Sequence, residues 1–204
     1  LRFDKRETKD DESLGKELAS LAEFYINDAF GVSHRAHTSV HKIIDNFESN
    51  KYGAGFLLQK EVDFFSGVIE EPKQPFASIV GGAKVSGKLE VLLSLISKVD
   101  KLFIGGGMAF TFIKAMGYNV GNSLVEDDLL EDAKKIMADA KEKGVKLYLP
   151  IDFIIADAFS ETANTKTVDY ENIPDGFMGL DIGPESVELF VENLKDCQTI
   201  IWNG

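Results

Sequence analysis

The chain is poor in the features that mark secreted or membrane-bound proteins. Cys197 is its only cysteine, so no intramolecular disulfide can form and a reducing compartment is expected. No apolar run approaches the ~20 residues of a membrane span, and no signal-peptide pattern opens the chain. Basic residues are outnumbered, 22 Lys and Arg against 34 Asp and Glu, for a formal net charge of −12. That balance argues against nucleic acid or an anionic membrane as a partner. An anionic ligand would have to be held by a local cationic cluster working against the global field. Repeats and low-complexity segments are also missing. What is present is an ordinary globular mix, 44% hydrophobic and 27% charged over 204 residues. It is enough for one large domain or one and a half smaller ones, and a cytoplasmic location is expected.

Short apolar runs alternate with helical periodicity, which predicts an α/β fold with a mainly parallel sheet. Strands are expected at Phe76 to Val80, Lys101 to Ile104, Val145 to Leu149, Gly176 to Asp181 and Thr199 to Trp202. Helices are expected near Ser86–Val99, Met108–Met116, Glu126–Lys143 and Pro184–Lys195. Gly117 and Gly144 stand where helix-ending glycines belong, and Pro184 where a first-turn proline belongs. Upstream, a helix near Asp11–Phe24 leads into a strand-like Tyr25-Ile26-Asn27 and a loop rich in His and Arg. A further helix follows through Lys60–Ile69. The polar, proline-stiffened Glu70-Glu71-Pro72-Lys73-Gln74-Pro75 reads as a boundary. Residues 1–59 are therefore expected to be the tail of one domain, 60–71 a linking helix and 72–204 the body of a second. Leu1-Arg2-Phe3 has no initiator methionine and Thr199 to Gly204 stops on a strand-like run, so a piece of a longer protein is expected.

Four strand ends run into glycine: Val80-Gly81-Gly82, Ile104-Gly105-Gly106-Gly107, Ile182-Gly183 and Asn203-Gly204. In an open parallel sheet, ligands bind beyond the carboxyl ends of the strands. Glycine there exposes backbone N–H groups to phosphate. One such turn is most simply a tight connection. Four on one edge of one sheet point to a nucleotide or a phosphorylated ligand. Gly82-Ala83-Lys84-Val85-Ser86-Gly87-Lys88-Leu89 has P-loop spacing up to its last position, where Leu89 replaces the magnesium-binding hydroxyl. Phe110 likewise spoils the dinucleotide fingerprint of Gly105 to Phe110. Lys84 and Lys88 remain, four apart at an expected helix start, either as phosphate ligands or as solvated surface lysines.

The three histidines cluster in Ser33-His34-Arg35-Ala36-His37-Thr38-Ser39-Val40-His41. Arg35 inside the cluster would repel a cation, and no cysteine or well-placed carboxylate completes a zinc set. An anion site of Arg35, a histidine and hydroxyls fits better. Plain turn and capping roles for the histidines stay open. Arg2 is a second candidate for the same anion.

Taken together, Leu1-Arg2-Phe3, Tyr25 to Gly31, His34-Arg35-Ala36-His37, Gly81 to Val85, Gly105 to Ala109, Gly179 to Pro184 and Ile201 to Gly204 resemble the phosphoglycerate kinase family, in the family's order. The resemblance implies two Rossmann-like, three-layer αβα domains facing across a cleft and joined by a long helix. It implies reversible phosphoryl transfer from 1,3-bisphosphoglycerate to ADP, giving 3-phosphoglycerate and ATP, in a monomeric enzyme of glycolysis and gluconeogenesis. By the same resemblance, Arg2 and Arg35 would grip the phosphoglycerate. Lys84 would sit on the transferred phosphoryl group as the catalytic lysine, and Lys88 on the nucleotide phosphates. Gly105, Gly106, Gly107, Gly179 and Leu180 would wall the adenine pocket, with Asn203 near the nucleotide. The Mg2+ that accompanies ATP or ADP would find its aspartate outside this segment, so no metal ligand is expected here. The segment alone is expected to be inactive.

Overall fold

The computed structural model describes residues 1–204, apart from the side chain of Glu70. It divides into two compact units, Leu1–Glu71 and Pro72–Gly204.

The first unit holds α1 (Glu12–Ala19), β1 (Tyr25–Asn27), β2 (Tyr52–Ala54) and α2 (Phe56–Glu70). Strands β1 and β2 pair in parallel, Tyr25 opposite Tyr52. Asp11 caps α1 by accepting the Leu14 N–H at 3.0 Å, an interaction that satisfies one orphan donor of the first turn. A polar knot does much of the fastening. Buried Thr38 donates to the Arg6 carbonyl at 3.0 Å and accepts from the Asp11 N–H at 2.7 Å. Buried Glu7 takes the Ser39 hydroxyl at 2.6 Å and its N–H at 3.1 Å. Helix α2 begins at Phe56, four residues before the expected Lys60, because Asp28 accepts the Leu58 N–H at 2.8 Å and so caps the first turn from a distant loop.

The second unit is a three-layer αβα domain. Strands β3 (Phe76–Val80), β4 (Lys101–Ile104), β5 (Lys146–Tyr148) and β9 (Thr199–Asn203) form a parallel sheet of order β5-β4-β3-β9. Period-two alternation sends Phe76, Val80, Leu102 and Ile104 to one face. There they pack on α3 (Leu89–Leu95), α4 (Ala109–Ala115) and α5 (Leu130–Glu142). Ala77 and Phe103 point to the other face and meet Phe190 of α6 (Pro184–Leu194). Gly117 and Gly144 lie at φ 98° and 73°, just past α4 and α5, as helix-ending residues.

A second sheet departs from the expected parallel pattern. Strands β6 (Asp152–Ala156), β7 (Thr165–Asp169) and β8 (Met178–Ile182) are antiparallel in the order β7-β6-β8. The strand expected at Gly176 to Asp181 is β8, so Ile182-Gly183 does not share an edge with the other glycine turns. Three of the four, not all four, end strands of the parallel sheet. Strands β6 and β7 had sequence signals of their own, the apolar run Phe153-Ile154-Ile155-Ala156 and the alternating Thr165-Lys166-Thr167-Val168.

Asp152 fastens this sheet to α6. Its carboxylate accepts the Ser186 and Glu185 N–H groups at 2.7 and 3.1 Å and the Ser186 hydroxyl at 2.5 Å. The Ser186 oxygen in turn accepts the Ile151 and Asp152 N–H groups at 2.9 and 3.0 Å.

At the opposite end of α6, the buried Lys101 ammonium meets Asp196 at 2.5 Å and the Asn193 carbonyl at 2.8 Å. The hydrogen bond to Asp196 raises the Lys101 pKa, and the same bond holds Asp196 below the usual carboxylate range. A depressed carboxylate contributes stability above its unfolded pKa of ~3.9 and loses it as the pH falls through the lower folded value. The raised lysine contributes below its unfolded pKa of ~10.4 and loses that contribution as the pH rises through the folded value. Asp196→Asn is therefore expected to lower the thermal unfolding midpoint at neutral pH, with the deficit shrinking below about pH 4. Calorimetry across pH checks this. A deficit unchanged in acid would show that the ion pair is not its source.

Candidate functional site

The carboxyl ends of β3, β4 and β9 meet in one knot of backbone. Gly81 donates to the Asn203 carbonyl at 2.9 Å, Gly105 to Val80 at 2.9 Å and Met108 to Gly82 at 2.9 Å. Gly106 is required here. Its φ is +66°, and a Cβ would lie 2.7 Å from the Gly82 nitrogen, so a side chain would be both strained and obstructed.

Beside this knot opens a cavity of about 520 Å³. Its walls include Ala83, Gly106, Gly107, Leu124, Gly179 and Leu180. Two features of the second sheet shape it. Gly179 packs flat on a buried ring, since a Cβ there would fall 1.9 Å from Phe110 Cζ. Leu180 is the extra residue of a β-bulge, Ile154 pairing with Asp181 and Ile155 with Gly179. Bulges re-aim side chains at the edges of sites, and Leu180 lines the cavity. The segment before α5 is stitched to β8. Asn122 donates to the Phe177 carbonyl at 2.8 Å, and Gly179 to the Ser123 hydroxyl at 2.9 Å. The pocket is thus apolar and preformed, with backbone polar groups at one rim, as small-molecule sites commonly are.

Lys84 and Lys88 lie on the loop between β3 and α3. They are not a helical pair, because α3 begins only at Leu89 and Lys88 is its N-cap residue. Gly87 and the turn at Val85–Lys88 delay the helix, the Lys88 N–H closing on the Val85 carbonyl at 2.8 Å. Lys84 is exposed, next to the cavity-lining Ala83. Lys88 donates from Nζ to the Asn203 side-chain oxygen. Lys88 from the loop and Asn203 from the end of β9 thus meet at the rim of the knot.

The family model described as Phosphoglycerate kinase matches residues 1–204. The chain belongs to the phosphoglycerate kinase family. A phosphoglycerate kinase of Nautilia profundicola is 63% identical over 204 residues, covering 100% of this chain and 51% of the relative. That of Sulfurimonas denitrificans is 60% identical with the same coverage. The chain thus spans about half the length of the curated relatives it matches. The solved phosphoglycerate kinase from Coxiella burnetii superposes with a TM-score of 0.80 at 37% identity, over 100% of this chain and 53% of the other. The Pyrococcus horikoshii structure, at 22% identity and a TM-score of 0.79, shares the fold.

Of the residues expected to serve a phosphoglycerate kinase, Gly106, Gly107, Gly179 and Leu180 line the cavity, and Gly105 stands at its backbone rim. Lys88 and Asn203 are brought into contact. Arg2 and Arg35 are both exposed in the first unit, Arg2 in a turn. Arg35 donates from Nε to His34 Nε2 at 3.2 Å, and His41 Nδ1 lies 2.6 Å from Asp10 Oδ2. His41 is thereby engaged away from the suggested anion cluster. Sequence reasoning missed Leu124, Phe159 and Asn122 as cavity residues. Only the exposure of Leu124 and Phe159, at 61% and 88%, marks them out from core residues, and exposure is not visible in a sequence.

Proposed function

We propose that the protein carrying this chain is a phosphoglycerate kinase that moves a phosphoryl group reversibly from 1,3-bisphosphoglycerate to ADP. The observation that carries the reading is one juxtaposition. An apolar, glycine-walled cavity opens at the carboxyl ends of the parallel strands, next to the loop that bears Lys84 and Lys88. In this reading the cavity takes the adenine of ADP or ATP, with Gly105 to Gly107, Gly179 and Leu180 around it. Lys88 and Asn203 hold the nucleotide phosphates. Lys84 meets the phosphoryl group in transit, and Arg2 and Arg35 bind the phosphoglycerate.

The chemistry suits these groups. The attacking atom is an oxygen of the ADP β-phosphate or, in reverse, an ionised carboxylate. Neither must lose a proton, so no general base is needed. Positioning and positive charge around the transferred group do the catalysis. In this reading the nucleotide's Mg2+ would take its aspartate from outside this segment. Among the described residues no cluster of His, Cys, Asp or Glu could hold a metal, and Glu126, the carboxylate beside the lysine loop, is occupied by Ser86. In this reading the protein works as a cytoplasmic monomer. No described helix is long and apolar enough to cross a membrane.

The test is a coupled assay of the full-length gene product, with 1,3-bisphosphoglycerate-dependent ATP formation as the expected result. Absence of that transfer would end the proposal. Within it, Arg35→Ala removes a charged contact and should raise KM for 3-phosphoglycerate on the order of 10-fold, with ADP affinity nearly unchanged. If calorimetry finds ADP binding weakened instead, Arg35 belongs to the nucleotide.

A further inference from the structure

We infer that Glu126 is a positioning residue, a carboxylate clamp that sets where Lys84 stands. This inference rests on the phosphotransfer reading above for its catalytic consequence, though not for its geometry.

The loop from Ala83 to Lys88 has no regular secondary structure and an exposed Lys84. Two things fix it. One is the side chain of Val85, fully buried in the core of the second unit. The other comes from forty residues away in sequence. Glu126 Oε1 accepts the Ser86 hydroxyl at 2.6 Å, and Oε2 accepts the Ser86 N–H at 2.9 Å. Burial works against ionising this carboxylate. The hydrogen bonds from the Ser86 hydroxyl and the Ser86 N–H outweigh it, with help from the nearby Val85 backbone and the Lys84 charge. Glu126 is therefore ionised, and its bonds to the loop are of the stronger, charge-assisted kind.

The other end of the clamp is rigid. The Glu126 N–H donates to Thr111 Oγ1 at 3.2 Å, and Thr111 is buried in α4, the helix that leaves the Gly105 to Gly107 turn. Leu124, two residues earlier, lines the cavity and packs near Gly107. One short segment thus touches the pocket wall, the glycine turn and the lysine loop. Val85 anchors the loop at a point about which it can pivot. Adding Glu126 at the next residue removes that freedom and fixes the direction in which Lys84 leaves the backbone. A lysine that stabilises a phosphoryl group in flight needs that direction more than ground-state binding does, since small misplacements cost rate steeply.

The experiment uses the full-length gene product in five forms: unaltered, Glu126→Ala, Glu126→Gln, Ser86→Ala and the Glu126→Ala/Ser86→Ala double substitution. Glu126→Ala should lower kcat on the order of 10- to 100-fold with a much smaller change in the nucleotide KM. Glu126→Gln should restore most of the rate, because its oxygen still accepts the Ser86 N–H and its amide can donate to the Ser86 oxygen. Ser86→Ala, at an exposed position that tolerates a smaller side chain, should lower kcat less, and should add nothing in the Glu126→Ala background. A kcat for Glu126→Ala within roughly twofold of the unaltered protein, a Gln form as slow as the Ala form, or full additivity with Ser86→Ala would each overturn the clamp. Amide hydrogen exchange at residues 84–88 provides a readout independent of turnover. Faster exchange in Glu126→Ala supports the clamp and unchanged exchange refutes it, even if the unaltered protein proved to have no phosphotransfer activity and the functional reading fell.

Discussion

Lys84→Ala in the full-length protein is expected to lower kcat by on the order of 10²- to 10³-fold while leaving nucleotide affinity nearly intact. The reason lies in what the lysine does in the proposed reaction. A phosphoryl group in transit spreads negative charge over its peripheral oxygens, and catalysis consists of meeting that charge with preorganised positive groups. Lys84 is exposed, on the loop beside the cavity, and among the described residues it is Ser86, two positions on, that the Glu126 carboxylate holds. In the proposed reading the nucleotide in its ground state has the cavity walls and Lys88 to bind it, so losing Lys84 removes little binding. The predicted pattern is a fall in kcat and in kcat/KM by similar factors. Lys84→Arg keeps the charge in a different shape and should recover only part of the rate. Steady-state kinetics with both substrates varied, set against ADP calorimetry, decides the matter. A near-normal kcat would remove Lys84 from the mechanism. A large loss of ADP affinity with normal kcat would make it a nucleotide ligand.

The second large effect is on stability. Asp152→Ala should destabilise the protein by about 2–4 kcal/mol and lower the unfolding midpoint by roughly 10 °C. Helix α6 opens with Gly183-Pro184, which supplies no capping side chain. Asp152 does so from β6, accepting the N–H groups of Glu185 and Ser186. Its loss strips the cap and leaves the fully buried Ser186 hydroxyl without that acceptor. Asp152→Asn, which keeps one acceptor oxygen, should fall between. Denaturant unfolding with an unchanged m-value would confirm that stability alone is affected. A midpoint within about a degree of the unaltered protein would mean that α6 does not depend on this cap.

Much of the second unit is legible from residue order. The short apolar runs Phe76 to Val80 and Lys101 to Ile104 identify buried parallel strands, because covered faces demand apolar residues on both sides. Strand β3 and strand β4 keep their expected bounds. The helix ends at Gly117 and Gly144 follow from the left-handed turn that only glycine makes cheaply. The boundary between units falls after Glu71, where charge and proline replace apolar periodicity. The glycine turns at Gly81 and Gly105 can be read the same way, and so can the placing of Lys84 and Lys88 near them.

Other features depend on pairing between residues far apart in the chain. The glycine at position 183 looks like those at 81 and 105, yet it closes a strand of a different, antiparallel sheet. A strand's local composition does not say which neighbour it will find. Leu180 enters the cavity only because β8 carries one residue more than β6 at that point. Asp152 caps a helix that begins thirty-two residues later, and Glu126 holds Ser86 across forty. Hydrogen bonds of this kind form between whichever donors and acceptors the packed layers bring within reach. The family, the α/β layering and the cationic loop beside the glycines are legible in residue order, because motifs, propensity, periodicity and turn chemistry are local. Sheet membership, the bulge that aims Leu180 and the clamps on α6 and on the lysine loop were decided by the tertiary structure, because each needs two distant segments to be fixed in space first.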